Sequence, residues 1–247
     1  MEELCELYIY NKKQKFCKLS LIIPTYNEAE NISELIERIE KSLKNVIFEI
    51  IIVDDNSEDK TAEIAEKLNI KYGNIKILKR NNKLGLGSAV VDGIKKSTGE
   101  ILGVMDADLQ HPPELLPKML EKIENGFDIV VASRYIEGSK VEESNVLRKL
   151  MSLGAVVLAH ILLQKTRVVK DAVSGFFMFR REVIDGVNLN PIGYKILIEI
   201  LVKGKYDKVK VTEIPYIFKS RKKGRSKLGV REIFNYVTLL LKLKVEK

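Results

Sequence analysis

The sequence predicts an α/β fold, an open and mostly parallel sheet flanked by helices, on three observations. Apolar runs of strand length alternate with amphipathic helical patterns as far as residue 133, as in a parallel sheet wound with right-handed crossovers. The run Phe48–Val53 is apolar almost without a break, as a strand buried on both faces must be. Short polar clusters follow several of these runs, at the strand carboxyl ends where open α/β sheets hold their ligands.

In order, Leu19–Pro24 reads as the first strand. Asn31–Leu43 follows as a helix with Ile32, Leu35, Ile36 and Ile39 on one face. Phe48–Val53 is the second strand, Thr61–Leu68 a helix and Ile75–Lys79 a strand. Ser88–Ser97 reads as helix and Glu100–Asp106 as strand. Pro112 and Pro113 suit the first turn of a further helix, and Asp128–Ser133 is the next strand. Beyond Ser133 the pattern changes. Leu147–Leu163 is helical and very apolar, Ser174–Arg181 a strand, Tyr194–Val202 a helix, Lys208–Phe218 a strand and Val230–Lys244 a closing helix. No internal repeat or low-complexity linker divides the chain.

Composition narrows the function classes. With 247 residues, 45% hydrophobic and 31% charged, the chain is neither disordered, collagenous nor a disulfide scaffold. Cys5 and Cys17 are too few for a four-thiolate metal site and read as reduced thiols of a cytosolic protein. The acidic start lacks the charge and apolar run of a signal peptide, so export is not expected. No stretch reaches the ~20 apolar residues of a bilayer span. The net charge of +8 points to anionic partners or to a solvating lysine-rich surface. Lys219 to Arg231 contains basic residues and no acid, and Ser144 to Lys170 likewise contains no acid.

Four polar clusters fall at predicted strand ends: Pro24–Glu28, Asp54–Ser57 with Asp59, Asp106–Gln110 and Ser133–Tyr135. Each alone also reads as a turn or helix cap; four at one sheet edge read as a site. Asp106-x-Asp108 is the sharpest, because period 2 sends both carboxylates to the same side. Two hard oxygen ligands with open positions suit Mg²⁺ or Mn²⁺, and Gln110 adds a neutral oxygen. Lys83–Ser88 matches neither phosphate-loop pattern, so its glycines are assigned to a tight turn and close packing. His111 and His160 are the only histidines, which excludes a His-based metal site. His111 is expected to pack beside the prolines and His160 in a core or interface.

P-x-Y-N-E, V-D-D-x-S and D-A-D-L-Q-H-P-P-E after successive strands resemble the inverting GT-A glycosyltransferases of family 2. S-R-Y, L-R-K-L-x-S, D-x-x-S-G-F-x-x-F-R, G-Y-K-I-L-x-E and R-x-x-G-x-S-K-L-G extend the resemblance toward its polyprenyl-phosphate sugar synthases, dolichol-phosphate mannose synthases above all. The resemblance covers about Leu19 to Gly229. It implies a GT-A catalytic domain over 19–229, after an extension over 1–18 and before a C-terminal helix over 230–247. The acceptor side would occupy roughly 134–229, with an interfacial helix over 147–163. By resemblance, Pro24, Tyr26, Glu28, Val53 and Asp55 hold the nucleotide. Asp106, Ala107, Asp108 and Gln110 hold metal and diphosphate, and Arg134, Arg148 and Ser152 meet the acceptor phosphate. Lys195, Arg221 and Lys227 close over diphosphate or acceptor, the last two being otherwise readable as a solvated loop.

The acceptor has independent support. A sugar hydroxyl needs a carboxylate base, but no Glu-Asp pair stands at an obvious site and no Q-x-x-R-W is present. A lipid phosphate is already ionised and needs cations to place it, a task suited to Arg134 and Arg148. Asp171 remains readable as a base or as a turn former. The expected reaction is mannose transfer from GDP-mannose to dolichyl or polyprenyl phosphate, with Mg²⁺ or Mn²⁺. UDP-glucose is the alternative donor, and a non-catalytic lipid- or nucleic-acid-binding module is the reading from another class. Nucleic acid is not expected as a partner, because no aromatic residue interleaves the basic run. Leu150–Leu163, with basic flanks, reads as an interfacial helix or a buried one. The expected location is cytoplasmic, peripheral on the membrane, with a small membrane-anchoring protein as a candidate partner.

Overall fold

The structure is a computed structural model that describes residues 17–142, 146–219 and 229–246. Strand β1 (Leu19–Thr25) runs parallel to β2 (Phe48–Asp54) on one side and to β4 (Ile101–Val104) on the other. Strand β3 (Ile75–Lys79) pairs with the outer edge of β2. Beyond β4 lie β7 (Phe177–Arg180), β5 (Ile129–Ser133) and β8 (Val211–Pro215), completing the order β3-β2-β1-β4-β7-β5-β8. Strand β7 is antiparallel to both its neighbours, and the other pairings in this sheet are parallel.

Side-chain alternation divides the core between the two sheet faces. Leu19, Leu21 and Ile23 face helices α1 (Ala29–Ser42), α2 (Thr61–Tyr72) and α4 (Leu116–Glu124). Ile22, Ile51 and Val53 face α3 (Leu86–Lys96) and α6 (Ile196–Lys203). Residues Ile196 through Val202 of α6 are all buried, because a further layer covers its outer side. That layer is α5 (Val146–Leu162) and α7 (Val230–Val245), which join α6 through Val156, Ala159, Ile198, Leu239 and Leu240. A helix apolar on nearly every face has to be enclosed in this way, and its one buried acid, Glu199, is paired with Lys203 (2.8 Å).

Several expected elements differ in extent. A 3-10 turn, Pro113–Leu115, precedes α4. The expected strand Lys208–Phe218 divides into a 3-10 turn at Lys208–Lys210, β8, and a separate β9 (Ile217–Lys219). Pro215 offers no N–H to continue the ladder, and β9 pairs with β6 (Lys140–Glu142) in a small second sheet. Ser174 and Gly175 precede β7 as a turn, with the Ser174 hydroxyl donating to the Ala132 carbonyl (2.7 Å). The apolar helix combines both of its readings: Val156, Ala159 and Leu163 are buried, whereas Leu150, Val157 and Ile161 face solvent.

Helix α3 approaches the sheet through Gly93, where a Cβ would lie 2.6 Å from Ile22 Cγ2 and 3.1 Å from Val53 Cγ2. Gly93→Val therefore overpacks this face and should cost about 1–3 kcal/mol, read as a lower urea midpoint at unchanged slope. An unchanged midpoint would mean that α3 is not held this closely.

Candidate active site

The loops after β1 and β2 lock together through short polar side chains. Asp54 accepts from the Thr25 hydroxyl (3.0 Å), the Ser57 hydroxyl (2.6 Å) and the Ser57 N–H (2.9 Å). Asn27 Oδ1 accepts from the Glu58 N–H (2.9 Å), and Asp59 accepts from the Ala29 N–H at the start of α1 (2.9 Å). Asn27 and Asn56 take positive φ values of 54° and 62°, a conformation asparagine tolerates. Asp54 and Asp59 are thus turn and cap residues, and their network fixes the place of Tyr26 and Glu28.

Asp55 anchors a second loop. Its carboxylate accepts from the Leu84 N–H (2.9 Å) and the Gly85 N–H (2.8 Å) and pairs with the buried Arg80 (3.1 Å). The Lys83–Ser88 segment is accordingly a tight turn held by Asp55, with Gly85 at φ 96°. It also presents Lys83, whose ammonium lies 3.6 Å from the centre of the Tyr26 ring. Motif reading missed Lys83, because its role follows from the fold around Asp55 and not from a pattern within the loop.

After β4, Asp108 Oδ1 accepts from the Gln110 N–H (3.1 Å), and Leu109 is held at φ 63°. Such a φ is costly for a leucine and typical of functional turns. His111 does more than pack beside the prolines. Its ring stacks on Phe176, and Nδ1 accepts from the Asp106 N–H (3.1 Å). Nδ1 also lies 3.8 Å from Asp106 Oδ2, but its lone pair is already engaged, so the contact is not an ion pair. Burial pushes His111 below the usual histidine range, against the pull of Asp106 and Asp108.

Arg134, at the end of β5, makes a two-pronged ion pair with the fully buried Asp171, Nε to Oδ2 at 2.7 Å and Nη2 to Oδ1 at 2.8 Å. Burial alone would lower the pKa of Arg134, but Asp171 more than reverses this and keeps the guanidinium charged. Asp171 is therefore the clamp of Arg134 and not a base, although its carbonyl also closes the expected turn onto the Ser174 N–H (3.2 Å). Tyr135 donates to the Ser152 hydroxyl (2.8 Å) and ties α5 to the end of β5. Lys195 donates to the Val173 carbonyl (2.7 Å). Burial pushes its ammonium down to about 8; Arg134 adds to the fall, while Asp106 and Asp171 oppose it.

One cleft of about 640 Å³ gathers these groups. Pro24, Tyr26, Glu28, Asp55, Asp106, Ala107, Asp108, Gln110, Arg134, Ser152 and Lys195 all line it, and the strands that carry the first three clusters and Arg134 stand in the order β2-β1-β4-β7-β5. The Val53 side chain is wholly buried against α3 by strand alternation, so any contact it makes with a nucleotide is through its backbone. The side chain of Arg148 and all of Arg221 and Lys227 lie outside the described residues.

The donor set suits a hard divalent cation. The Asp106 and Asp108 carboxylates both line the cleft, and Gln110 donates through Nε2 to the Lys219 carbonyl (2.8 Å), leaving Oε1 as its acceptor atom. Among the described residues no group of three or more His, Cys, Asp or Glu side chains gathers to enclose a metal. An open set of this kind is completed by ligand oxygens, as at Mg²⁺ and Mn²⁺ sites.

Comparison with known proteins places these features. Residues 20–187 match the family described as glycosyl transferase family 2. The chain is 51% identical over 226 residues to the dolichol-phosphate mannosyltransferase of Pyrococcus furiosus, covering 92% of this chain and 63% of that one, so it spans just under two thirds of that relative. The dolichol-phosphate mannosyltransferase of Saccharomyces cerevisiae is 34% identical over 238 residues, which cover 92% of this chain and 87% of the relative. Glucosyl-3-phosphoglycerate synthase from Mycobacterium tuberculosis, in complex with Mn²⁺, UDP-glucose and phosphoglyceric acid, shares the fold with a TM-score of 0.68. It is 20% identical, over 93% of this chain and 80% of that one.

Lys195 binds an anion best while charged, so affinity for a nucleoside diphosphate should fall as pH rises through about 8. Calorimetry across that range should show the fall in wild type and little of it in Lys195→Arg. A flat wild-type profile would place Lys195 away from the bound phosphates. Stability carries the opposite sign: below about 8 the folded state bears the full cost of the buried charge, and that cost is relieved as pH rises toward the ordinary lysine value.

Proposed function

We propose a reaction from one premise, that this chain belongs to glycosyl transferase family 2. The reaction is inverting, metal-dependent transfer of mannose from GDP-mannose to dolichyl or another polyprenyl phosphate. The identities with two dolichol-phosphate mannosyltransferases support the sugar and the lipid. The observation that carries the reading is the cleft itself, which is lined by the Asp106 and Asp108 carboxylates, by the cations Arg134 and Lys195, and by apolar helix walls. Met151, Gly154, Ala155 and Leu158 of α5 and Ile233 and Val237 of α7 supply those walls. A phosphate on an apolar chain matches this combination of surfaces.

In this reading Tyr26, Glu28 and Lys83 meet the nucleotide. Asp106, Asp108 and Gln110 hold a divalent cation, Mg²⁺ or Mn²⁺, which neutralises charge on the departing diphosphate when bound; the fold neighbour's complex contains Mn²⁺. Arg134, fixed by Asp171, and Ser152, fixed by Tyr135, hold the acceptor phosphate for in-line attack on the anomeric carbon. The acceptor oxygen is already ionised, so no carboxylate needs to accept a proton. Lys195 balances charge between the two phosphate sites. Arg148, Arg221 and Lys227 are assigned to the same phosphates, and residues 19–229 to the catalytic domain.

The surface fits a peripheral place on the cytoplasmic face of a membrane. Leu150, Val157 and Ile161 on α5 and Phe234, Leu241 and Val245 on α7 are exposed apolar residues, with Phe234 72% exposed. Lys149, Arg167, Arg231 and Lys244 stand among them, as anionic headgroups require. Among the described residues no helix is long and apolar enough to cross a membrane, and a small membrane-anchoring protein is a candidate partner.

Labelled GDP-mannose, dolichyl phosphate and Mg²⁺ or Mn²⁺ should give organic-extractable label, and Asp106→Ala should reduce it at least about 10²-fold. Label from UDP-glucose alone would correct the sugar. Anion binding without transfer, unaffected by Asp106→Ala, would replace the enzyme with a basic binding module. Gly154 has open space where a Cβ would sit, so Gly154→Leu should raise the KM for dolichyl phosphate several-fold and leave that for GDP-mannose unchanged. Equal effects on both would remove the lipid from this wall.

A further inference from the structure

Asp106 is the more exposed carboxylate of the D-x-D pair, its side chain 33% accessible. An exposed aspartate ordinarily samples several rotamers, yet a metal ligand needs one direction. Two features around this side chain restrict it. The first is the hydrogen bond from its own N–H to His111 Nδ1, at 3.1 Å. His111 is itself immobilised: it is 3% exposed, stacks on Phe176 with ring centres 5.3 Å apart, and meets the edge of Tyr216 at 6.1 Å. Because Nδ1 accepts from the Asp106 N–H, it donates no hydrogen bond to the nearby carboxylate.

The second feature is Gly175, in the turn before β7. A Cβ built there would lie 2.7 Å from Asp106 Oδ2 and 3.2 Å from His111 Cε1. The carboxylate thus rests directly on the backbone of residue 175, in space that any other side chain would take. Gly175 has no positive φ, so conformational freedom does not explain a glycine here. Close approach does. Phe176, the next residue, is the platform under His111, so a single turn supports both the carboxylate and the ring that fixes its backbone.

We propose that His111 and Gly175 are positioning residues that together seat the Asp106 carboxylate for a divalent cation, His111 by fixing the Asp106 N–H and Gly175 by leaving room for Oδ2. The inference rests on the metal-dependent reading above. It also gives the S-G-F segment, far from the D-x-D in sequence, a direct part in metal binding.

Mn²⁺ affinity, read from the electron paramagnetic resonance signal of the free ion, tests this without turnover. Gly175→Ala should weaken Mn²⁺ binding about 10–100-fold, while the thermal midpoint stays within a few degrees (~2–4 °C per kcal/mol at this size). His111→Leu should weaken it similarly. His111→Asn should recover most of the affinity, since an amide oxygen can replace Nδ1 as acceptor although the ring packing is lost; a purely structural histidine would not be rescued in this way. Wild-type binding with Gly175→Ala and His111→Leu unchanged would overturn the seat and leave the metal-dependent reading standing. Asparagine no better than leucine would remove the hydrogen bond from the argument and overturn the role of His111. Failure of wild type itself to bind Mn²⁺ would overturn both readings.

Discussion

Asp171 has no solvent exposure, so its charge must be compensated inside the protein, and Arg134 does this with two hydrogen bonds of 2.7 and 2.8 Å. Removing one partner of such a pair leaves an uncompensated buried charge, a loss of about 3–5 kcal/mol. The pair also fixes the geometry of the cleft. It joins the end of β5 to the segment that leads through Ser174 and Gly175 into β7. The Lys170 and Asp171 N–H groups in turn donate to Glu213 of β8 (2.8 and 3.0 Å). Three elements of the sheet's far half are thereby fixed around one guanidinium.

The antiparallel entry of β7 between β4 and β5 gives that constraint its chemical consequence. Strands β4 and β5 deliver the D-x-D and the S-R-Y to the same sheet edge with one strand between them. Because β7 runs the other way, its preceding turn reaches that same edge and fills the gap. A parallel strand there would have placed its end, not its beginning, beside Asp106. The cleft consequently has a carboxylate region and a cationic region on opposite sides of one turn. Lys195, in contact with the Val173 carbonyl, senses both: Arg134 lowers its pKa and Asp106 raises it.

The sequence made the first half of the fold legible because its strands are short apolar runs and its helices have clear faces, as at Ile32, Leu35, Ile36 and Ile39. The D-x-D, Arg134 and Lys195 were also within reach, since each lies at an element boundary in a recognisable motif. What escaped depends on distant pairing. The small β6–β9 sheet consists of two three-residue strands, too short for periodicity to show. Val53 entered the candidate site by resemblance alone, and alternation within β2 turns its side chain into the core and leaves only its backbone at the strand end. Asp55 and Asp171 are acids whose partners, the Leu84–Gly85 backbone and Arg134, are brought near only by folding. Gly175 lies in the D-x-x-S-G-F motif, but the reason for a glycine there was not legible, because the atom that forbids a side chain belongs to the distant Asp106.

The layer formed by α5 and α7 links the two kinds of surface the proposed substrate needs. Each helix has one face committed to α6, through Val156 and Ala159 on one and Leu239 and Leu240 on the other. Ordinary amphipathic helices would turn polar residues outward; these also expose Leu150, Ile161, Phe234 and Leu241. The same helices supply Gly154, Leu158, Ile233 and Val237 to the cleft wall. The same two helices thus present apolar residues both on the outside of the molecule and in the cleft, where Tyr135 holds Ser152. An isolated apolar patch would explain adhesion, and an isolated pocket would explain binding of a small anion. Helices that supply both fit the acceptor proposed above, an anion on a long apolar chain.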